Sequence, residues 1–241
     1  MSFKRLISVL FLGLVCLGTA AQKRVQADVE EKTLKDGKVT TVTKRVFSEG
    51  NGRLVTVFFK PLSYYSVTNT KGEAKIYIPS THEVVSMADP SMSSSLELIN
   101  IFHTGRQNDL GLLSQGYKLV SSSYDQEGYL KRIYTTSRQD AAPEVELVLK
   151  DYLPVYLEYR SGGKVMGRTY LSDYDRNASF VLPGRVTEIT YFPQKKDSVV
   201  TRILYTAIST DGQDPTFDFQ VPADAHPVPN PLGEYLKKSK K

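Results

Sequence analysis

Three histidines, His82, His103 and His226, are the side chains of this 241-residue sequence best suited to proton transfer or metal binding near neutral pH. Their spacing serves neither. His82-Glu83 lacks the second histidine of an HExxH zinc site, and no other histidine stands at ligand spacing. His103 reads as the end of a helix, where a cation meets the negative pole of the dipole. His226, between Ala225 and Pro227, reads as a surface residue. No GxSxG elbow surrounds a serine; the runs Ser93-Ser94-Ser95 and Ser121-Ser122-Ser123 read as a helix cap and a strand end. Gly50-Asn51-Gly52 and Gly162-Gly163 belong to hairpin turns, so no glycine-rich phosphate loop exists.

Carboxylate pairs are the remaining catalytic candidates. Asp173 and Asp175 alternate at one strand edge, and Asp211 and Asp214 flank Gly212. Carboxylates roughly 5–9 Å apart could hydrolyse a glycoside, and clustered oxygens could hold calcium. Asp-Gly is a standard turn former, however, and the calcium-loop spacing is not met. The reading is a protein that is not an enzyme and takes no cofactor or metal. A glycan-active hydrolase using Asp173 and Asp175 is the catalytic alternative.

The ends of the chain carry most of its charge character. Residues 1–21 combine Lys4-Arg5, an apolar run from Leu6 to Leu17 and small Gly18-Thr19-Ala20-Ala21, the three regions of a secretory signal peptide. The run falls short of the ~20 residues that cross a bilayer, so a soluble, exported mature chain is expected. The formal charge of +5 drops to +3 without that segment, and to −1 without the tail Lys237-Lys238-Ser239-Lys240-Lys241. The basic balance is therefore no evidence for a nucleic-acid groove. Cys16 is the single cysteine; read as part of the signal it leaves with it, which excludes disulfides and thiolate chemistry from the mature chain, and the alternative of a lipid-attachment cysteine is disfavoured by the bulk of Val15.

Short alternating runs divided by turn signals fill the rest, and these elements must position any site. Val29–Leu34 and Lys38–Phe47 are joined across Lys35-Asp36-Gly37. Leu54-Val55-Thr56-Val57-Phe58-Phe59 is apolar on both faces, which predicts a strand covered on both sides. Near residues 90–116 the period changes. Ser94-Ser95-Leu96-Glu97 has the form of a capping box, and Leu96, Ile99, Phe102 and His103 recur at helical spacing. Asn108 can cap a second short helix that stops at Gly116. Strand rhythm then returns through Ser209. The total of about 13 strands and one helical insertion predicts a mainly β (α+β) domain over residues 22–232, followed by a lysine-rich tail at 233–241. One strongly curved antiparallel sheet covered by the insertion would enclose a concave apolar space suited to a ligand.

The order of these elements resembles a known family. Gly52-Arg53-Leu54-Val55-Thr56-Val57-Phe58-Phe59-Lys60-Pro61 resembles the strand ending in Arg-Pro of the periplasmic lipoprotein carrier family, LolA. Lys71-Gly72-Glu73-Ala74-Lys75-Ile76-Tyr77-Ile78-Pro79 is similar to the DG-x-x-x-W-x-Y-x-P segment that follows there. Phe217-Asp218-Phe219-Gln220-Val221-Pro222 is similar to the closing F-x-F-x-x-P. The resemblance covers roughly residues 52–229 and suits a Bacteroidetes-type member. It implies an incomplete barrel closed by helices, whose apolar interior shelters the acyl chains of lipoproteins or other lipids. It also implies a monomer working between an inner-membrane donor and an outer-membrane acceptor, with no nucleic-acid partner. Lys60 takes the place of the arginine that latches the helical lid in the family, although it could equally be a strand-end charge in water. The sequence departs from the pattern where Tyr77 replaces tryptophan, and where residues 28–47 read as a hairpin instead of a helix.

Under this reading Leu96, Ile99 and Phe102 on the lid would meet Leu54 and Phe58 on the sheet around the lipid. The same five residues are also what a packed core would contain. Burying a long acyl chain at about 0.8 kcal/mol per methylene yields on the order of 10 kcal/mol. The alternative from another class is a non-carrying interaction or sensor module on the same half-barrel.

Overall fold

The structure, a computed structural model, describes residues 24–136, 143–192, 194, 197–210 and 212–229. The expected signal peptide and lysine-rich tail lie outside the described residues, as does Asp211. Fourteen strands form a single sheet among those described. In chain order they are β1 (Arg24–Lys35), β2 (Lys38–Glu49), β3 (Leu54–Lys60), β4 (Tyr64–Thr68), β5 (Glu73–Ile78), β6 (Glu83–Ala88), β7 (Lys118–Tyr124), β8 (Leu130–Thr135), β9 (Glu144–Lys150), β10 (Leu153–Ser161), β11 (Lys164–Tyr174), β12 (Pro183–Phe192), β13 (Asp197–Thr210) and β14 (His226–Pro227). The sheet order is β14-β6-β5-β4-β3-β2-β1-β13-β12-β11-β10-β9-β8-β7. All pairings are antiparallel except β14 on β6. Two meanders, β1–β6 and β7–β13, thus meet at a central seam where Val25 faces Thr210 and Leu34 faces Val200.

A sheet this wide must curl or be covered, and here it does both. On β1, Val25, Ala27 and Val29 are buried while Gln26, Asp28 and Glu30 turn outward. On β9, Val145, Leu147 and Leu149 do the same. These inward rows pack with Ile99, Ile101, Phe102, Leu110 and Leu112 of the insertion into one continuous core. The insertion is shorter and less helical than its spacing predicts. It holds one α-helix, α1 (Leu98–His103), flanked by 3-10 turns at Pro90–Met92, Ser94–Leu96 and Leu113–Gln115. The expected capping box does not form: Ser94 Oγ donates to the Gly52 carbonyl at 2.5 Å, and α1 starts without a side-chain cap. Asn108 is likewise not the second cap. Asp109 accepts from the Gly111 and Leu113 amides, an alternative that two adjacent cap-forming residues leave open. Gly72, at φ +82°, sits where a Cβ would lie 2.2 Å from the Asp89 carbonyl oxygen, so the β4–β5 turn and the entry to the insertion can touch only through glycine.

β3 is covered on both sides, as its apolar run predicts. Leu54 belongs to the inner core, whereas Val55 packs outward with Phe47 and Phe217. The outer cover is a strap at residues 212–229 that crosses the back of β1–β6 and ends as β14. Phe217 meets Phe47 edge-on with centroids 5.1 Å apart, and Phe219 stacks on Tyr65 at 4.2 Å. Arg53 donates to the Phe217 and Phe219 carbonyls, and Arg24 bridges Asp218 and Glu49. β14 then blunts the β6 edge. At the other edge β7 is exposed along its whole length.

Candidate functional site

The curl of the sheet leaves a hollow of about 500 Å3 between the insertion and the inner face of β10–β13. The strand period dictates its wall. Leu157 and Tyr159 on β10, Leu171 on β11, Val186 and Glu188 on β12, and Ile203 and Tyr205 on β13 are alternate residues that point the same way. Leu96, Leu98, Ile101 and Leu110 form the roof. The volume falls within the roughly 300–1,000 Å3 of small-molecule sites, and a largely apolar lining with a few polar groups is their usual composition.

The roof is fastened on one side. Ser48 Oγ donates to Asn100 Oδ1, and His103 Nδ1 lies 2.7 Å from the same hydroxyl. A serine has one proton to give, so with that proton on Asn100 the histidine donates from Nδ1. Asn100 Nδ2 donates to the Ser94 carbonyl at 3.0 Å. Ser48, Ser94 and Asn100 are all buried. Farther along, Arg106 donates to the Ser95 carbonyl and Arg132 to the Asn108 carbonyl.

The electrostatics inside the hollow are acidic. Glu97 and Glu188, both solvent-exposed, line it together with Arg168, and neither glutamate side chain forms a hydrogen bond or ion pair among the described residues. Glu188 opens onto the hollow yet has protein on most sides. That environment, followed by the neighbouring charges of Glu31 and Glu97, raises its carboxyl above the ordinary value, and Lys44 only partly opposes this. Lys44 is paired with Glu31 at 3.5 Å. Burial also pushes the Tyr159 phenol up to about 12, and Tyr205 higher still.

The five residues expected around a lipid separate into three places. Leu54, Ile99 and Phe102 lie together in the packed core. Leu96, 44 % exposed, lines the hollow. Phe58 faces inward nearer the strand ends, stacked on Tyr64 at 4.1 Å with Lys44 Nζ 5.6 Å from its ring centre. Lys60 ends β3 with an exposed side chain. The spacing 96/99/102 selected one stripe of α1, but LINIFH is apolar almost all round, and its other stripe, Leu98 and Ile101, faces the hollow. The wall from β10–β13 was available in the same alternation that defines those strands.

The candidate catalytic side chains are engaged in contacts with their neighbours. Asp173 pairs with Arg185 at 3.1 Å, and Asp175 accepts from the Asn177 amide in a turn. Asp214 accepts from the Thr216 amide at the start of the strap. His82 bridges Tyr77 and Asp224 at 3.0 and 3.3 Å, and stands edge-on to His226. No group of three metal-ligating side chains occurs among the described residues. A broader groove of about 880 Å3 lies on the outer face between the strap and β4–β6. It is lined by Val67, Ala74, Met87, Phe219 and Val221, with Asn69, Lys71, Glu73 and Lys75 at its rim.

A single curved sheet wrapped around a short helical insertion is the LolA-like incomplete barrel. Solved structures share it. A DUF1329 family protein from Desulfovibrio piger aligns over 82% of this chain and 90% of its own, with 13% identity and a TM-score of 0.54. A LolA superfamily protein from Nitrosomonas europaea aligns over 78% and 86%, with 12% identity and a TM-score of 0.52. An outer membrane lipoprotein-sorting protein domain from Vibrio parahaemolyticus aligns over 81% and 89%, with 13% identity and a TM-score of 0.51. At such identities the likeness is one of fold. No family model matches the chain, and no curated protein does. No helix among the described residues is long and apolar enough to cross a membrane.

Proposed function

We propose that this protein is a periplasmic carrier or chaperone that shelters the acyl chains of lipoproteins or other lipids in the hollow beneath its insertion, for delivery to the outer membrane. The observation that carries the reading is the 500 Å3 space itself, lined by apolar residues from both wall and roof with a few charged and polar groups among them, within a LolA-like sheet. A packed interior would have favoured the interaction or sensor module instead. Binding follows from moving methylenes out of water, at about 0.8 kcal/mol each. Release follows from the roof, which is held by polar contacts near Ser48 and by the packing of Ile99, Phe102 and Leu112 in the shared core. Swinging it away from β10–β13 exposes the lining and weakens binding without any energy source. In this reading Leu96 contacts the acyl chain directly, while Ile99, Phe102 and Leu54 set the depth of the hollow. Phe58 and Lys60 stand towards the open strand ends, where a departing chain would pass.

The test is native mass spectrometry of protein purified from a bacterial periplasm, followed by titration with an acylated peptide. Co-purified lipid, or stoichiometric uptake of the peptide, is expected. Absence of both would overturn the proposal.

A further inference from the structure

The strap covers the outer face of the sheet at one end only. Its contact with Tyr65 is level with Val57, Arg45 and Asp28 on β3, β2 and β1, well short of Leu34. Beyond it, Val39 on β2, Leu34 on β1, Val200 on β13 and Ile189 on β12 stand opposite one another across adjacent strands. Directly paired residues share a face, and Leu34 continues the outward set of Asp28 and Glu30 on β1. Val39 is 63 % exposed and Leu34 45 %, while Val200 and Ile189 are half-buried. A solvated sheet face ordinarily carries polar groups, so an uncovered apolar row marks a contact surface.

Cations flank the row. Lys35 and Lys38 close the β1–β2 turn beside it, and Arg202 stands in the next outward row, between Lys32 and Thr187. Lys35, Lys38 and Arg202 are exposed, and none forms an ion pair or hydrogen bond among the described residues. The acids nearby are largely engaged: Lys32 holds Glu30 at 2.7 Å, and Arg160 and Arg168 hold Glu158. Asp36 in the turn and Asp197 at the start of β13 remain, and Lys164 at the start of β11 adds a further unpaired cation along the same rim. All four strands are paired on both edges, so the surface offers no free backbone to an added peptide strand. Apposing two copies would bring like charges together. Aliphatic side chains between unpaired cations instead match the headgroup boundary of an anionic bilayer, where cations meet phosphates and apolar groups reach the acyl layer.

We infer that this end of the sheet docks reversibly on anionic phospholipid membranes, through the row of Val39, Leu34, Val200 and Ile189 and the cations Lys35, Lys38 and Arg202. The inference goes beyond the carrier reading and does not require the hollow to be filled. Each lysine or arginine near an anionic surface strengthens binding about fivefold, so three of them suffice for an attachment that remains reversible.

Co-sedimentation of the chain, purified from a bacterial periplasm, with phosphatidylcholine vesicles made with and without phosphatidylglycerol tests this. Binding to the anionic vesicles should be about tenfold or more tighter, and should weaken as added salt screens the charges. The triple variant Lys35→Gln, Lys38→Gln, Arg202→Gln should bind about a hundredfold more weakly. Leu34→Ser with Val39→Ser should bind about fivefold or more weakly. Every side chain changed is exposed, so both variants should melt within a few degrees of the parent and take up acylated peptide as it does. No binding to either vesicle, or equal binding to both, would overturn the inference. Binding that survives both variants would also overturn it, and its loss on deleting residues 237–241 would then assign it to the tail. Self-association in place of vesicle binding would overturn it as well. None of these results touches the carrier reading, which stands or falls on acyl-peptide uptake.

Discussion

Ser48 on β2 and Asn100 on α1 are joined by a hydrogen bond in a fully buried setting, and this is where the insertion is fixed to the sheet. The bond is not isolated, because Asn100 also holds the Ser94 carbonyl and Ser48 also meets His103. Replacing Asn100 by alanine removes two buried hydrogen bonds at once, while Ser48 keeps His103 and the Ser94 carbonyl keeps the Glu97 amide. A loss of about 1–3 kcal/mol is expected in denaturant unfolding. Hydrogen exchange should quicken first across residues 94–113, ahead of the strands, because the roof can open without breaking the sheet.

Filling the hollow separates binding from folding. Ile203→Trp places a large ring against Leu98 and Ile101, in space that is otherwise empty. Acyl-peptide uptake should fall at least tenfold, with a melting temperature within a few degrees of the parent. Unchanged uptake would move the cargo elsewhere.

Phe217 is fully buried between the strap and β2. Its replacement by alanine leaves a cavity and should cost about 3–5 kcal/mol. Arg53 then loses much of the surface that aligns its carbonyl acceptors. Limited proteolysis should cut between residues 212 and 229 before it cuts the strands.

Glu158 on β10 gives a pH-dependent prediction. Burial by itself would raise its carboxyl, but hydrogen bonds from the Tyr156 hydroxyl, Arg168 and Arg160 outweigh that and hold it below the ordinary value. A carboxyl depressed in the folded state contributes stability above its unfolded pKa of about 4.3, and that contribution disappears as pH falls through the folded value. Glu158→Gln should therefore cost about 1–3 kcal/mol at neutral pH. The unfolding curves of parent and variant should converge at low pH.

The sheet was largely legible because period-two alternation is local. β9 and β11 begin and end where the residue pattern places them, and the β10–β11 turn sits on Gly162-Gly163. Even the two-sided cover of β3 could be read from its unbroken apolar run, although what covers it, the strap around Phe217, is distant in sequence. The insertion was harder. Its helix has six residues, too few for apolar spacing to fix a face, and the serine of its apparent capping box lies in a 3-10 turn ahead of the helix, its hydroxyl donating to the Gly52 carbonyl. The two-residue strand β14 has no pattern of its own and exists because the strap delivers His226 to the β6 edge. The acid pair in the hollow was invisible for a related reason. Glu97 and Glu188 are neighbours only once the chain has curled, and nothing near either one advertises a partner.

The seam between β1 and β13 has one further implication. The first long ribbon and the last one zip to each other, so the molecule cannot close along its middle until β13 has been made. Until then the early meander has a bare flank and nothing to lean on, a topology expected to mature slowly.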